Sequence, residues 1–275
     1  MRAAAAQLNS TNDRDRNLAT AERLVRAAAA DGADLVALPE KWSRLAGGEE
    51  LRAEAETLDG PSLSAARAWA SELGIFLLAG SISERTDAKA FNTSVLIGPD
   101  GDDLAVYRKI HLFDVDAGGV SYRESEHEQP GTEVVTASLG DLVAGLTVCY
   151  DLRFPELYRI LALREAQLIT VPSAFTSATG RDHWEVLLRA RAIENQVFVI
   201  APNQVGTAPP HYDSFGHSAI VDPWGTVLAI APEGECFIAA DLDLGAQERT
   251  RSSLPSLANR RPGAYVWPQL LEASS

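Results

Sequence analysis

Two segments in the first half of the chain reappear in the second half, in the same order. The apolar run at 33–39 (ADLVALP) is echoed at 166–172 (AQLITVP). The segment at 91–101 (FNTSVLIGPDG) is echoed 124 positions later at 215–225 (FGHSAIVDPWG), and both copies end in a Pro-x-Gly turn that is typical of a hairpin. Such a repeat constrains the fold strongly, because both halves must then share one order of elements.

Helical patterns surround the repeated strands. Apolar residues at i, i+3 and i+4 predict helices at 17–30 and 155–166, and helix–strand pairs follow at 63–81 and 184–203. Each half therefore reads strand–helix–strand–helix–strand–hairpin, which predicts an α/β fold with helices packed on sheets. Two such halves can bury their remaining sheet faces against each other, which gives a four-layer αββα sandwich.

Two independent lobes would also produce such a repeat. However, no Pro/Gly/Ser-rich linker separates positions 110 and 145, where the chain holds only a charged, glycine-containing loop at 114–133. We therefore predict a single domain over residues 1–275 with internal duplication.

The overall charge limits the partners of this protein. The net charge is −14 at pH 7 and the pI is near 4.8, which argues against nucleic acid or an anionic membrane surface, because both bind basic proteins. No run approaches the ~18 apolar residues of a membrane span, and the N-terminus has no signal-peptide core. With two cysteines and no CxxC, we expect a reduced, cytoplasmic protein without a disulfide framework.

Three reactive side chains follow predicted strands, where α/β proteins bind ligands. Glu40 follows LVALP, Lys109 follows LAVYR, and Cys149 follows LVAGLTV. Considered singly, Glu40 could be a solvated loop carboxylate without a function, and Lys109 could be half of a surface ion pair. Their apolar and aromatic neighbours favour function, because a charge in such surroundings is costly unless it pairs or acts.

Cys149 is open to two interpretations. Free cysteines are often buried structural residues. Against this, Asp151 and Arg153 follow it closely, and Pro155 suits the first turn of a helix. A thiol near a helix N-terminus should favour the thiolate, so the residues alone leave both interpretations open, nucleophile and core residue. Cys236 has none of these neighbours and is predicted to be core.

A nucleophilic cysteine needs a base, and the usual one is histidine. None of the five histidines lies in a recognisable Cys–His context, although a Cys–His hydrolase remains an alternative. There is no HExxH and no close His/Cys cluster, so neither a metal nor a cofactor is expected.

Together, LALPE, YRKIHLFD and CYDLRFPE resemble the motifs of the nitrilase superfamily, the carbon–nitrogen hydrolases with a Glu-Lys-Cys triad. The resemblance runs from about residue 2 to about 265. TGRDHWEVLLRARAIENQ and GHSAIVDPWG are similar to the Nit branch, which includes ω-amidases and deaminated-glutathione amidases. The resemblance implies the four-layer sandwich, a homodimer or larger homo-oligomer, and a C-terminal tail at about 246–275 extended over the dimer interface.

The resemblance also implies roles for individual residues. Cys149 would be the nucleophile, Glu40 the general base and Glu124 a second active-site glutamate, although Glu126 and Glu128 nearby leave open a solvated acidic loop. Lys109 and the Tyr150 backbone N–H would stabilise the oxyanion. The remaining predicted contacts concern the substrate, with Arg153 or Arg181 as reader of its carboxylate and Phe175, Thr176 and Thr179 as pocket lining.

The implied activity is hydrolysis of a small carboxylate-bearing amide, such as the ω-amide of a 2-oxo acid or deaminated glutathione, through a Cys thioester with release of ammonia. An N-carbamoyl amino-acid hydrolase and a catalytically silent dimeric scaffold are the alternatives. Two departures from the family pattern, Ala-Gly-Gly after FDVD and Arg181-Asp182 before HWE, bear on substrate choice.

Overall fold

The computed structural model describes residues 1–117, 119–210 and 212–265, and within these residues two sheets form the centre of the molecule. The strands of the first sheet are β1 (Arg2–Gln7), β2 (Leu35–Ala37), β3 (Phe76–Leu78), β4 (Ile82–Glu84), β5 (Phe91–Ile97), β6 (Asp103–Arg108) and β17 (Cys236–Asp241). Their order is β17-β1-β2-β3-β5-β4, with β6 also paired to β5.

The second sheet has the order β16-β15-β12-β11-β10-β9, in which the strands are β9 (Thr136–Leu139), β10 (Leu142–Leu146), β11 (Leu168–Thr170), β12 (Phe198–Ala201), β15 (Ala219–Val221) and β16 (Val227–Ile230). Two separate hairpins, β7–β8 and β13–β14, are antiparallel. Their strands are β7 (Asp114–Ala117), β8 (Val120–Arg123), β13 (Val205–Ala208) and β14 (Tyr212–Phe215).

Six α-helices lie within the described residues, and proline or a capping aspartate begins several of them. Asp13 accepts a hydrogen bond from the Arg16 N–H at the start of the first helix, and Pro61 and Pro155 occupy first-turn positions, where the missing N–H costs nothing. The helices are α1 (Arg14–Ala30), α2 (Gly48–Ala53), α3 (Pro61–Leu73), α4 (Pro155–Leu163), α5 (Ser177–Asn195) and α6 (Leu244–Ser253). None of these is long and apolar enough to cross a bilayer.

Strand β1 shows why the molecule has four layers. Successive side chains of a strand point to opposite faces of the sheet. Ala3 and Ala5 lie in the core between the two sheets, whereas Ala4 and Ala6 lie in the core formed with α1 and α3, and all four are fully buried. The second sheet is covered in turn by α4 and α5, whose Leu161 and Leu188 lie in the same core as Ile169, so the predicted αββα sandwich is confirmed.

The predicted duplication is visible in the strand pairing. β1, β2 and β3 run parallel, as do β10, β11 and β12. Each trio is followed by an antiparallel hairpin, β5–β6 or β15–β16. The C-terminal strand β17 pairs antiparallel with β1, just as β9 pairs with β10.

Two expectations differ from the structure, those for the segment at 114–133 and for Cys236. The segment predicted as a loop at 114–133 contains the β7–β8 hairpin, in which Val115 pairs with Tyr122. At the start of the predicted tail, residues 244–253 form α6, and the Gln247 side chain ties this helix to the carbonyls of Gln167 and Gln196; the extension of the tail over a dimer interface stays a prediction. Residues 266–275 of the tail lie outside the described residues. Cys236 is only half-buried, because β17 is an edge strand of the first sheet.

Candidate active site

The three side chains singled out by the sequence line one cavity of about 240 Å³. Glu40 follows β2, Lys109 follows β6 and Cys149 follows β10, so two of them come from the first sheet and one from the second. All three are buried. Strands far apart in sequence therefore bring a carboxylate, an ammonium and a thiol to the same opening.

Lys109 lies between two carboxylates. Its Nζ is 3.0 Å from Glu40 Oε1 and 2.8 Å from Glu124 Oε2, and its side chain is only 1% exposed. Burial by itself would lower the pKa of Lys109, but Glu124 and then Glu40 outweigh burial and hold this pKa well above its usual range. The amine is therefore a fixed cation, and removing one partner of such a buried pair typically costs about 3–5 kcal/mol.

Glu40 is held at both carboxylate oxygens. Oε1 accepts hydrogen bonds from Lys109 Nζ and, at 2.8 Å, from Asn92 Nδ2, while Oε2 accepts one from the Ala174 backbone N–H at 2.8 Å. Ala174 follows β11 of the second sheet, so the carboxylate joins the two halves of the molecule. This leaves Glu40 little rotational freedom beside the thiol.

Cys149 has a left-handed backbone with φ of 47° and begins a short 3-10 helix, Cys149–Arg153. Its N–H donates to the Pro172 carbonyl at 2.9 Å, which ties the turn to the neighbouring strand. Burial is the main reason that the pKa of Cys149 is raised well above its usual range; Glu40 raises it further, and Lys109 opposes both. The expected acidification of this thiol is therefore wrong in direction, because burial outweighs the nearby helix N-terminus.

Glu124 is the second carboxylate that pairs with Lys109. Besides the Lys109 ammonium, its carboxylate accepts hydrogen bonds from the Phe113 N–H at 2.7 Å and from Asn92 Nδ2 at 3.3 Å. The alternative of a solvated acidic loop therefore fails for Glu124 and applies to Glu126, which is exposed at the rim.

The predicted substrate contacts Arg153, Phe175, Thr176 and Thr179 line the same cavity, as does Tyr150, the predicted oxyanion donor. The Arg153 guanidinium carbon lies 5.2 Å from the centre of the Phe175 ring, and Nη1 is 3.2 Å from His183 Nδ1. Among the described residues, no carboxylate lies within the 4.0 Å of an ion pair with Arg153. Arg181 is exposed on α5 and does not line the cavity.

Comparison with known proteins shows the family of this chain. The carbon–nitrogen hydrolase family matches residues 2–252 of the chain. The chain belongs to this family. The resemblance read from the motifs is thus confirmed.

Three similar proteins place this carbon–nitrogen hydrolase in the Nit branch. Omega-amidase NIT2 of Mus musculus is 40% identical over 266 residues, which are 96% of each chain. Deaminated glutathione amidase of Synechocystis sp. is 40% identical over 266 residues, covering 94% of this chain and 97% of that protein. The solved structure of Saccharomyces cerevisiae Nit3, a member of branch 10 of the nitrilase superfamily, superposes with a TM-score of 0.86 at 33% identity, covering 93% of this chain and 94% of that one.

Sequence reasoning did not find Asp151, which joins the two sides of this carbon–nitrogen hydrolase site. Its fully buried carboxylate accepts hydrogen bonds from the Tyr107 hydroxyl at 2.6 Å, the His111 N–H at 3.1 Å and the Val148 N–H at 2.8 Å. Tyr107 and His111 flank Lys109, and Val148 precedes the thiol. The signal for Asp151 in the sequence was its position just after a predicted buried strand, because a carboxylate that is buried there requires hydrogen-bond partners.

Lys41 and Glu128 were also missed. Lys41 has a left-handed φ of 52°, which allows two consecutive residues, Glu40 and Lys41, both to line the cavity. Lys41 Nζ lies 2.8 Å from Glu128 Oε1 and 3.4 Å from Glu124 Oε1, and both Lys41 and Glu128 are buried.

Asn92 was missed as well, and its side-chain amide donates to both Glu40 and Glu124. The sequence held one indication of its role: Asn92 has a polar side chain where the equivalent position of the repeat, Gly216, has none. Within the described residues, no group of three or more His, Cys, Asp or Glu could hold a metal ion.

Proposed function

We propose that this enzyme hydrolyses a small carboxylate-bearing amide to the acid and ammonia, through a thioester on Cys149. The single observation that carries the proposal is the convergence of Glu40, Lys109 and Cys149 around one cavity. The named relatives support an amide as the substrate. An amide is hard to hydrolyse directly, and a thioester intermediate divides one high barrier into two lower ones.

Acylation begins with a neutral thiol, because the pKa of Cys149 is raised mainly by burial. As a carbonyl carbon approaches Sγ, Glu40 takes the thiol proton and the S–C bond forms. The carbonyl oxygen becomes an oxyanion, which Lys109 and the Tyr150 N–H stabilise. A donor of this kind is worth about 3–4 kcal/mol. The C–N bond then breaks, and Glu40 returns its proton to the leaving nitrogen, which departs as ammonia.

Deacylation uses the same groups in reverse. Glu40 takes a proton from water, the hydroxide adds to the thioester carbonyl, and the oxyanion again faces Lys109. When the S–C bond breaks, Sγ regains a proton from Glu40, and the carboxylic acid leaves. Lys109 keeps its proton throughout, which agrees with its strongly raised pKa. Lys109 thus serves as a fixed charge and not as an acid.

Substrate choice depends on Arg153. This guanidinium lies at the cavity wall, and the described residues give it no carboxylate partner, so a substrate carboxylate can bind it with two parallel hydrogen bonds. The apolar ring of Phe175 and the hydroxyls of Thr176 and Thr179 would contact the short chain between the carboxylate and the amide. A cavity of about 240 Å³ suits a small molecule and not a polymer.

The test is ammonia release from 2-oxoglutaramate, deaminated glutathione, N-carbamoyl amino acids and simple nitriles, compared by kcat/KM. We expect the carboxylate-bearing amides to lead, and Arg153→Met to raise their KM about 10–100-fold with a smaller change in kcat, because the lost interaction is mostly one of binding. Arg181→Met is the matched control. Carbon dioxide released together with ammonia would favour the N-carbamoyl alternative, and no turnover of any amide would contradict the proposal.

We also infer that the enzyme works as a homodimer. Helices α4 and α5 pack against each other, and they expose four aliphatic side chains, which are Ile160, Leu163, Val186 and Ile193. A second copy is the natural cover for such a face, since closed two-fold association buries the same patch on both subunits. Light scattering should give twice the 29.5 kDa mass of the chain, and a monomer at micromolar concentration would contradict this inference.

A further inference from the structure

Five charged groups line the cavity that holds the thiol, which is more than the proposed chemistry uses; four of them are buried, and the Glu124 side chain is 11% exposed. Two are the ammonium groups of Lys41 and Lys109, and three are the carboxylates of Glu40, Glu124 and Glu128. If all five were ionised, the cluster would have a net charge of −1. A net charge away from water is costly, and a buried group usually changes its protonation to remove it.

The hydrogen bonds indicate which carboxylate takes the extra proton. Glu40 accepts from three donors and Glu124 from four groups, two of which are ammoniums. Glu128 Oε1 faces Lys41 Nζ at 2.8 Å, whereas the buried Oε2 has no hydrogen-bond partner among the described residues. Glu128 is therefore the least stabilised anion of the three.

We propose that Glu128 is a protonated positioning residue, which together with Lys41 holds Glu124 against Lys109. A proton on Oε2 turns this atom into a donor to the Glu124 carboxylate, which gives the buried oxygen a partner and makes the cluster neutral. The inference rests on the proposed function and deepens it, because Glu124 in turn positions the ammonium that meets the oxyanion.

The electrostatics of the pair agree with this geometry. Burial is the largest cause that raises the pKa of Glu128, to about 8; Lys41 opposes it, and the charge of Glu124 adds to it. Burial would also raise the pKa of Glu124, but Lys109 and Lys41 outweigh burial and lower it. The other titratable or charged groups lining the same cavity are Glu40, Cys149, Tyr122, Tyr150, Tyr212, Glu126, His127, Arg123 and Arg153.

The consequence is an alkaline limit on catalysis. Above about pH 8 the Glu128 proton is lost, and a net negative charge remains beside the site. This charge opposes both the oxyanion and the substrate carboxylate, so kcat/KM should fall about tenfold per pH unit. Glutamine has the shape of a protonated glutamate and retains a donor, but it cannot lose the proton in this range.

Kinetics on the full-length enzyme give the first test. We expect Glu128→Gln to keep kcat/KM within about threefold at pH 7 and to lose the alkaline decline near pH 8. Glu133→Gln removes the same charge from an exposed site outside the cavity and should keep the decline. Lys41→Met removes the cation that favours the Glu128 anion, so the decline should move to higher pH. A folded Glu128→Gln enzyme that keeps the wild-type decline, or is inactive at every pH, would overturn the proposal.

Thermal unfolding tests the proton without any substrate. The folded-state pKa of Glu128 is raised above its usual 4.5, so the native state binds the extra proton between about pH 4.5 and about pH 8. Stability contributed by this proton is complete below that window and is lost as the pH rises through it. The Tm of Glu128→Gln minus the Tm of the wild type should therefore increase from pH 5 to pH 8. A constant difference would refute the buried proton, whereas a widening difference without amide turnover would refute only the proposed function.

Discussion

The two halves of the molecule share one order of strands and helices but not one chemistry. Glu40 follows Pro39 at the end of β2, whereas the same place after β11 holds Ser173, whose hydroxyl donates to the nearby Val171 carbonyl. Lys109 is 1% exposed after the first hairpin, whereas Glu233, 124 positions later, has an 84% exposed side chain. A duplicated fold therefore needs only a few side-chain differences to confine the reaction to one end.

The halves also contribute different kinds of group. The first supplies the buried charges of Glu40, Lys41, Lys109 and Glu124, while the second supplies the thiol, the Ala174 N–H and the wall that includes Arg153. Neither half contains a complete site. The chemistry is a property of the contact between them, and the following substitutions test that contact.

The largest effect is expected for Cys149→Ala, which removes the one reactive group of the second half. Ammonia release should fall by at least about 10⁴-fold, because no other group can form the thioester. Cys236→Ala is the matched control, since Cys236 lies on β17 and does not line the cavity. Mass spectrometry after reaction with an alkylating amide should show the adduct at Cys149. Turnover above a trace in a folded variant would contradict the role of this cysteine.

The second-largest effect is expected for Glu40→Gln, which can be compared with a substitution at the equivalent position of the second half. Glu40→Gln should lower kcat about 10²–10⁴-fold, because a general base is lost from both acylation and deacylation. Ser173→Ala, at the corresponding position, should change kcat less than about threefold, although it can lower stability by about 1 kcal/mol through the lost hydrogen bond. Rapid-mixing measurement of acylation separates the two steps. A Glu40→Gln enzyme that acylates at the wild-type rate would remove Glu40 from the mechanism.

The smallest effect is expected for Asp151→Asn, because Asp151 joins the two halves by hydrogen bonds and does not itself react. Asp151→Asn keeps the shape of the side chain but replaces an acceptor oxygen with a donor NH₂. At least one of the three donors, which are the Tyr107 hydroxyl and the His111 and Val148 N–H groups, then loses its hydrogen bond to residue 151. Hydrogen bonds to charged groups contribute about 1.5–3 kcal/mol each, so we expect a lower Tm and a roughly tenfold lower kcat with little change in KM. Denaturant unfolding and steady-state kinetics measure both. An unchanged kcat would show that Asp151 only stabilises the fold.

The sequence was sufficient to locate Glu40, Lys109 and Cys149 because each follows a strand whose apolar run is easy to read. It was not sufficient for Asn92, Asp151 or the Lys41–Glu128 pair, since their partners lie dozens of residues away and are brought close only by the packed sheets. The direction of the Cys149 pKa was misjudged for the same physical reason. A helix N-terminus can be read locally, but the burial that outweighs it comes from tertiary packing.

The repeat likewise predicted most of the architecture but not its edges. β7 and β8 have four residues each, and their pairing has no counterpart in the echoed segments. β17 was not recognised as a strand, because its partner β1 lies more than 200 residues earlier in the chain. Short strands and distant pairings are decided by which neighbour is available, and this information is absent from local periodicity.

The pairing of β1 with β17 determines when the protein can finish folding. β17 is synthesised more than 200 residues after β1, so during synthesis β1 leaves the ribosome with a row of unpaired backbone groups on one side. Open edges of this kind invite association with other chains. A chain truncated before β17 would therefore keep the edge of β1 unpaired, and we expect such fragments to depend on chaperones.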